Sequence, residues 1–103
     1  MSVLMEFSMF PLEGSESKSA DVARIIQMIH ESGYSYKLTP MSTVVETPTM
    51  KEALKLVENA YALLEASERV YACLKFDIRP NREDGMHQKI ESVQNKLDCL
   101  ITI

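Results

Sequence analysis

Along the chain, apolar and polar residues alternate first with a period of two and then with a period of three to four, and the switches between them lay out seven elements. Ser2 to Phe10 alternate Val3, Met5, Phe7 and Met9 against Leu4, Glu6, Ser8 and Phe10, the pattern of a strand with one apolar face and one mixed face. Pro11 ends this strand, and Glu13-Gly14-Ser15-Glu16-Ser17 is turn chemistry leading to a helix cap at Ser17 or Ser19. Val22, Ile25, Ile26 and Ile29 then fall at i, i+3, i+4 and i+7, one stripe of an amphipathic helix. It stops at Gly33, which can take the positive φ of a helix end.

Tyr34 to Leu38 and Met41 to Thr47 predict two further strands. Only Thr39 and Pro40 separate them, too few residues for a crossover, so they are expected to pair antiparallel. Thr49-Met50-Lys51-Glu52 has capping-box spacing and opens a second helix, with Met50, Leu54, Val57, Tyr61 and Leu64 as its expected buried stripe. A fourth strand, Arg69 to Arg79, places Val70, Ala72, Leu74, Phe76 and Ile78 on one face and Tyr71, Cys73, Lys75, Asp77 and Arg79 on the other. Asn81 to Gly85 reads as a charged loop, and a third helix from about Met86 carries Ile90, Val93 and Leu97. The closing Leu100-Ile101-Thr102-Ile103 is apolar and is expected to pack, against its own subunit or another.

With right-handed crossovers, the order β-α-β-β-α-β-α puts the first two helices on one side of a four-stranded antiparallel sheet. The predicted fold class is α+β, a ferredoxin-like α/β sandwich. At 103 residues and 46% apolar, the chain has material for one core, so residues 1–103 are read as a single domain. Val3, Met5, Phe7, Tyr36, Leu38, Thr43, Val45, Ala72, Leu74 and Phe76 are expected to face the helices. The opposite face is left open and mixes Leu4, Phe10, Val44 and Tyr71 with Glu6, Lys37, Glu46 and Lys75. Such apolar groups favour pairing with a second sheet, while enclosed carboxylates are costly unless partnered. A homo-oligomer joined through its sheets, with a polar pocket at the seam, meets both demands.

Charge and composition narrow the function. Fifteen acidic residues against eleven basic give a net charge of −4, and the basic residues are scattered, which speaks against nucleic-acid binding. The apolar runs fall short of the roughly 20 residues a spanning helix needs, and no basic start leads into an apolar stretch, so a cytoplasmic protein without membrane association is expected. Cys73 and Cys99 form no CxxC, and neither His30 nor His87 has a second ligand at metal-binding spacing, so no disulfide, metal or cofactor is expected. Glu13-Gly14-Ser15 lacks the glycines and the Lys of a phosphate loop, and no Cys-His pair or positioned His marks a catalytic residue.

Three segments together carry a resemblance: Val3-Leu4-Met5-Glu6-Phe7-Ser8-Met9-Phe10-Pro11, then Ser32-Gly33-Tyr34-Ser35-Tyr36-Lys37-Leu38-Thr39-Pro40-Met41-Ser42-Thr43 with Glu46, then Arg69-Val70 with Lys75-Phe76-Asp77-Ile78-Arg79. Over nearly its whole length the chain resembles the small single-domain thiamine-binding proteins, although that family commonly has Gly at the position of Ser42. The resemblance implies a ferredoxin-like fold assembled into dimers or tetramers through its sheets. It also implies non-catalytic binding of a small molecule, thiamine or its hydroxymethylpyrimidine moiety.

An aminopyrimidine offers both donors and acceptors, which suits carboxylates and hydroxyls. Glu46 is the residue expected to meet it, with Ser8 and Ser42 as supporting hydrogen-bond partners and Phe10 and Tyr71 as apolar or stacking walls. Glu46 is expected to be a near neighbour of Ser8 or Glu6, because strands one and three are central in this topology. Thr43 is a further candidate through its place in the matching motif, although alternation turns it toward the helices as a packed β-branched residue. Glu6 is expected to pair with Lys37 or Lys75 across the subunit seam, and Asp77 and Arg79 to form structural ion pairs or to hold the loop that follows. Two other functions fit the same fold: a small cofactor-free enzyme, and a structural or regulatory subunit whose open face is consumed by subunit contacts.

Overall fold

The computed structural model describes residues 1–14 and 18–102. Its elements are β1 (Ser2–Pro11), α1 (Ser19–Ser32), β2 (Ser35–Leu38), β3 (Thr43–Thr47), α2 (Met50–Ala62), β4 (Val70–Arg79) and α3 (Gly85–Gln94). The four strands form one antiparallel sheet in the order β2-β3-β1-β4. The α+β sandwich expected from the alternation is therefore present, with β1 and β3 at its centre.

β1 buries Val3, Met5, Phe7 and Met9, and with Ile25 and Ile29 of α1, Val45 of β3, and Ala53, Leu56 and Ala60 of α2 these form the core. Removing side chains of this kind from water stabilises the fold by roughly 1.5–3 kcal/mol for each large one. Gly33 ends α1 at φ 83°, in the left-handed region. Nothing lies within 4 Å of where its Cβ would stand, so the glycine is required by the backbone and not by packing. At α2, Thr49 caps as predicted, its hydroxyl accepting from the Glu52 amide at 3.2 Å.

Several expectations are corrected. Ser17 lies outside the described residues, and Ser19 is the first residue of α1 with Lys18 at the cap position, where no side-chain cap bond forms. The stripe of α2 is shifted: Ala53, Leu56 and Ala60 are buried while Leu54 and Tyr61 are exposed, whereas Met50 and Val57 pack part-buried against the core and Leu64, just past the helix, is buried as expected. Two alanines let the helix sit close on β1 and β3, so small residues define its inner face where the sequence directed attention to large ones. Of the residues expected under the helices, Leu38, Ala72 and Leu74 are exposed, because β2 and β4 are the edges of the sheet and the two helices cover its centre. The C-terminal tail folds back on Gln94, whose side chain donates to the Cys99 carbonyl and accepts from the Ile101 amide, both at 2.7 Å. Leu100 nevertheless stays 90% exposed.

α3 comes back over one end of the open face. The chain reaches it through Asp84, at φ 52°, and Gly85, whose backbone lies directly over the Arg82 side chain.

Candidate functional site

β1 is longer than the strand beside it. Its register with β3 ends at Phe7↔Thr43, whereas its register with β4 continues through Ser8↔Cys73, Met9↔Ala72 and Phe10↔Tyr71 to Pro11↔Val70. Beyond Phe7, one side of β1 therefore has no strand partner, and the turn between β2 and β3 spans the gap. A cavity of about 200 Å³ occupies this place. Ser8 and Phe10 line it from β1, Val22 and Ile25 from α1, and Thr39, Met41, Ser42 and Thr43 from the turn and the start of β3.

The turn is braced from within. Thr39 Oγ1 donates to the Ser42 carbonyl at 2.9 Å and accepts from the amides of Met41 and Ser42 at 3.3 and 3.1 Å. The Thr39 amide adds a bond to the same carbonyl at 2.8 Å. Four hydrogen bonds over four residues hold Ser42 at the cavity wall, and Pro40 removes one backbone freedom more. The Ser42 hydroxyl donates to Glu6 Oε2 at 3.1 Å, and Lys75 Nζ lies 3.6 Å from Glu6 Oε1. Glu6 thus meets Lys75 of its own subunit, its register partner on β4, where the pairing was expected across a subunit seam.

On the open face the Phe10 and Tyr71 rings meet edge to face, with centroids 6.5 Å apart, and the Arg69 guanidinium lies 5.4 Å from the Tyr71 ring centre. Tyr71 is exposed and stands beside the cavity rather than in its wall. Thr43 is buried on the helix side, and both it and Ser8 make no side-chain hydrogen bond among the described residues. Since no buried side-chain nitrogen or oxygen among those residues lacks a partner, the Thr43 hydroxyl is not sealed, and the cavity is the space it reaches.

Glu46 is elsewhere. Its register partner on β1 is Leu4, two residues from Glu6 but four from Ser8 and so about 13 Å from Ser8 along the strand, which corrects the expectation for Ser8. Its carboxylate accepts from the amides of Gly85 at 2.7 Å and Met86 at 3.1 Å, at the N-terminus of α3. Burial raises its pKa, but hydrogen bonds from the Ser2 hydroxyl and the two amides, with the Arg82 charge nearby, outweigh that and hold the carboxyl below its ordinary value.

Arg82 completes this second cluster. It is only 5% exposed, and its guanidinium donates to the Ser2 hydroxyl at 2.7 Å, the Ser2 carbonyl at 3.2 Å, the Asp77 carboxylate at 3.1 Å and the Asp77 carbonyl at 2.8 Å. Lys89 of α3 also pairs with Asp77. Sequence reasoning treated residues 81–85 as a charged loop and missed Arg82. The available signal was Gly85, three residues on, since a backbone glycine is needed where a long side chain passes beneath.

The sequence reading also missed Thr39, Met41, Val22 and Ile25 as cavity residues. Its six candidates divide by geometry: Ser8, Phe10, Ser42 and Thr43 line one cavity, Tyr71 flanks it, and Glu46 belongs to the α3 anchor. Among the described residues no group of three or more His, Cys, Asp and Glu could hold a metal ion. No helix among them is long and apolar enough to cross a membrane.

Comparison with known proteins bears on this arrangement. Residues 5–94 match the profile of the family described as thiamine-binding protein. The chain belongs to the thiamine-binding protein family. A UPF0045 protein of Mycobacterium bovis is 36% identical to it over 98 residues, covering 94% of this chain and 96% of that protein. Among solved structures, a hypothetical protein from Methanocaldococcus jannaschii superimposes with a TM-score of 0.79 at 28% identity, covering 89% of this chain and 95% of the other. A Thermotoga maritima protein described as a candidate for thiamine biosynthesis or salvage shares the fold, with a TM-score of 0.76 at 19% identity, covering 90% of this chain and 99% of the other.

Proposed function

We propose that this protein is a non-catalytic binding protein for thiamine or its hydroxymethylpyrimidine moiety, which it holds in the cavity between the end of β1 and the β2–β3 turn. Family membership supports the ligand class. The observation that carries the location is the convergence of Ser8, Phe10, Ser42 and Thr43 on one cavity. Hydroxyls on an otherwise apolar wall suit a flat heteroaromatic ring, with Phe10 and Met9 supplying contact area and the serines orienting its nitrogens. At about 200 Å³ the cavity is smaller than the roughly 300–1,000 Å³ typical of drug-sized ligands, so one ring enters and a second lies across Leu38 and Met41 at the mouth.

In this reading Glu46 holds α3 in place and does not touch the ligand. The histidines support binding over catalysis: His30 Nδ1 shares a 2.8 Å hydrogen bond with the Tyr36 hydroxyl, His87 Nδ1 one of 2.8 Å with Asp84, and neither lines the cavity. The exposed free thiols of Cys73 and Cys99 suit a reducing, cytoplasmic compartment.

A second copy of the chain completes the proposal. β4 is a ten-residue strand at the sheet edge, with Tyr71 exposed on one face and Leu74 and Ile78 on the other. A long edge with apolar side chains is an unstable surface for a monomer, and pairing through the sheets covers it. Titration calorimetry with thiamine and with hydroxymethylpyrimidine tests the binding claim: saturable heat that Phe10→Ala weakens about tenfold is expected. A folded protein giving no heat with either compound would refute it.

A further inference from the structure

Resting on the binding reading above, we infer that Glu6 fixes the hydrogen-bond polarity of the cavity: it holds the Ser42 hydroxyl so that the oxygen meets a ligand only as an acceptor. The site then selects a ring that presents an N–H donor at this edge over the same ring with a carbonyl there.

A serine hydroxyl has one hydrogen and two acceptor sites. At Ser42 the hydrogen is committed to Glu6 Oε2 at 3.1 Å, and an ionised carboxylate can only accept. Rotation of the hydroxyl away from Glu6 is opposed on both sides. The Ser42 backbone is fixed by Thr39 through its amide at 3.1 Å and its carbonyl at 2.8 and 2.9 Å, so Oγ has only its staggered rotamers to choose from, and the one it adopts points at Glu6. Lys75 Nζ lies 3.6 Å from the other Glu6 oxygen. That pair is exposed and contributes little stability, but it orients the carboxylate.

The other hydroxyls do not duplicate this role. Thr39 Oγ1 already donates one bond and accepts two, and has nothing left for a ligand. Ser8 and Thr43 make no side-chain hydrogen bond among the described residues, so they rotate to donate or accept as a ligand requires. Among the described hydroxyls of this wall, Ser42 is therefore the one with a fixed sense and an acceptor site still open to a ligand. A ring amino group facing it gains a hydrogen bond, and a ring carbonyl facing it sets lone pairs against lone pairs.

Glu6 acts through Ser42 and is a positioning residue, and Glu6→Gln reverses its effect by a definite route. Lys75 can only donate, so it takes the Gln carbonyl. The amide N–H then faces Ser42, which must accept it and turn its own hydrogen into the cavity.

The experiment is titration calorimetry of wild type, Glu6→Gln and Ser42→Ala with two probes, hydroxymethylpyrimidine and the analogue in which an oxo group replaces the ring amino group. Wild type is expected to favour the amino ring by about tenfold or more, the scale of one unmade hydrogen bond. That preference falls by about tenfold in Glu6→Gln and is lost in Ser42→Ala, with circular dichroism spectra matching wild type. If wild type binds both probes equally, or Glu6→Gln leaves the ratio unchanged, the inference is overturned while the binding site stands. If wild type binds neither, the proposed function itself falls, and the inference with it.

Discussion

The Gly85 amide donates a 2.7 Å hydrogen bond to the Glu46 carboxylate, joining the first turn of α3 to the centre of the sheet. The Met86 amide adds a second bond at 3.1 Å, so a full negative charge sits where the helix presents unpaired N–H groups and the positive end of its dipole. α3 is short, and Val93 on it and Leu97 just beyond it are exposed, so it has little buried apolar surface to hold it down. Glu46 caps it, Gly85 packs over Arg82, and Lys89 pairs with Asp77, and these contacts dock it.

Glu46→Gln should therefore lower stability by about 1 kcal/mol, a scale appropriate to one charge at a helix N-terminus. The loss is read as a shift of the urea midpoint. Thiamine affinity should stay within about threefold of wild type, because a binding effect of tenfold would require some 1.4 kcal/mol at a site about 13 Å along the strand.

The same contact gives a pH dependence. The Glu46 carboxyl titrates below its ordinary value of 4.5 when folded, so the unfolded chain binds its proton first as pH falls. The contribution of Glu46 is then complete above 4.5 and is lost as pH drops through the folded value. Urea midpoints measured from pH 7 down to pH 3 should fall less steeply for Glu46→Gln than for wild type. Equal slopes would remove Glu46 as a source of the acid sensitivity.

Gly85→Ala tests the packing beneath the helix. A Cβ at this position would lie 2.5 Å from Arg82 Nε and 2.7 Å from Cδ, closer than atoms can stand. Arg82 cannot move aside without releasing Ser2 and Asp77, so a destabilisation of about 1–3 kcal/mol is expected, the usual range for overpacking. Gly33→Ala has no such clash and should cost about 1 kcal/mol from the left-handed backbone alone. Thermal or urea denaturation of the two variants separates these causes.

The exposed edge of β4 makes a prediction about assembly. Replacing Leu74 and Ile78 with Lys places charge on a strand whose apolar side chains the proposed second copy would cover. Sedimentation equilibrium should show wild type as a dimer or tetramer and the double variant as a monomer of near 11.7 kDa.

Much of this was legible in the sequence, for reasons that particular residues make clear. The period-two run of β1, the helix stop at Gly33 and the Thr49-Glu52 cap are local signals, and local physics decides them. The face of α2 was misread because Ala53 and Ala60 owe their burial to close approach, which hydrophobic size does not reveal. The partition of the site candidates was hidden for another reason. Alternation puts Ser8, Ser42 and Glu46 on one face, but only register tells how far apart along it they stand. Arg82 was hidden too, since its partners Ser2 and Asp77 come from two strands that pair only in the folded sheet.

The most direct test of where the ligand binds is an amide-resolved NMR titration of the protein with thiamine. The account predicts saturable shifts at Phe7 to Phe10 and Thr39 to Thr43, with the Gly85 and Met86 amides unmoved. Shifts centred on Gly85, Met86 and Glu46, with the turn from Thr39 to Thr43 silent, would contradict it and return Glu46 to the ligand.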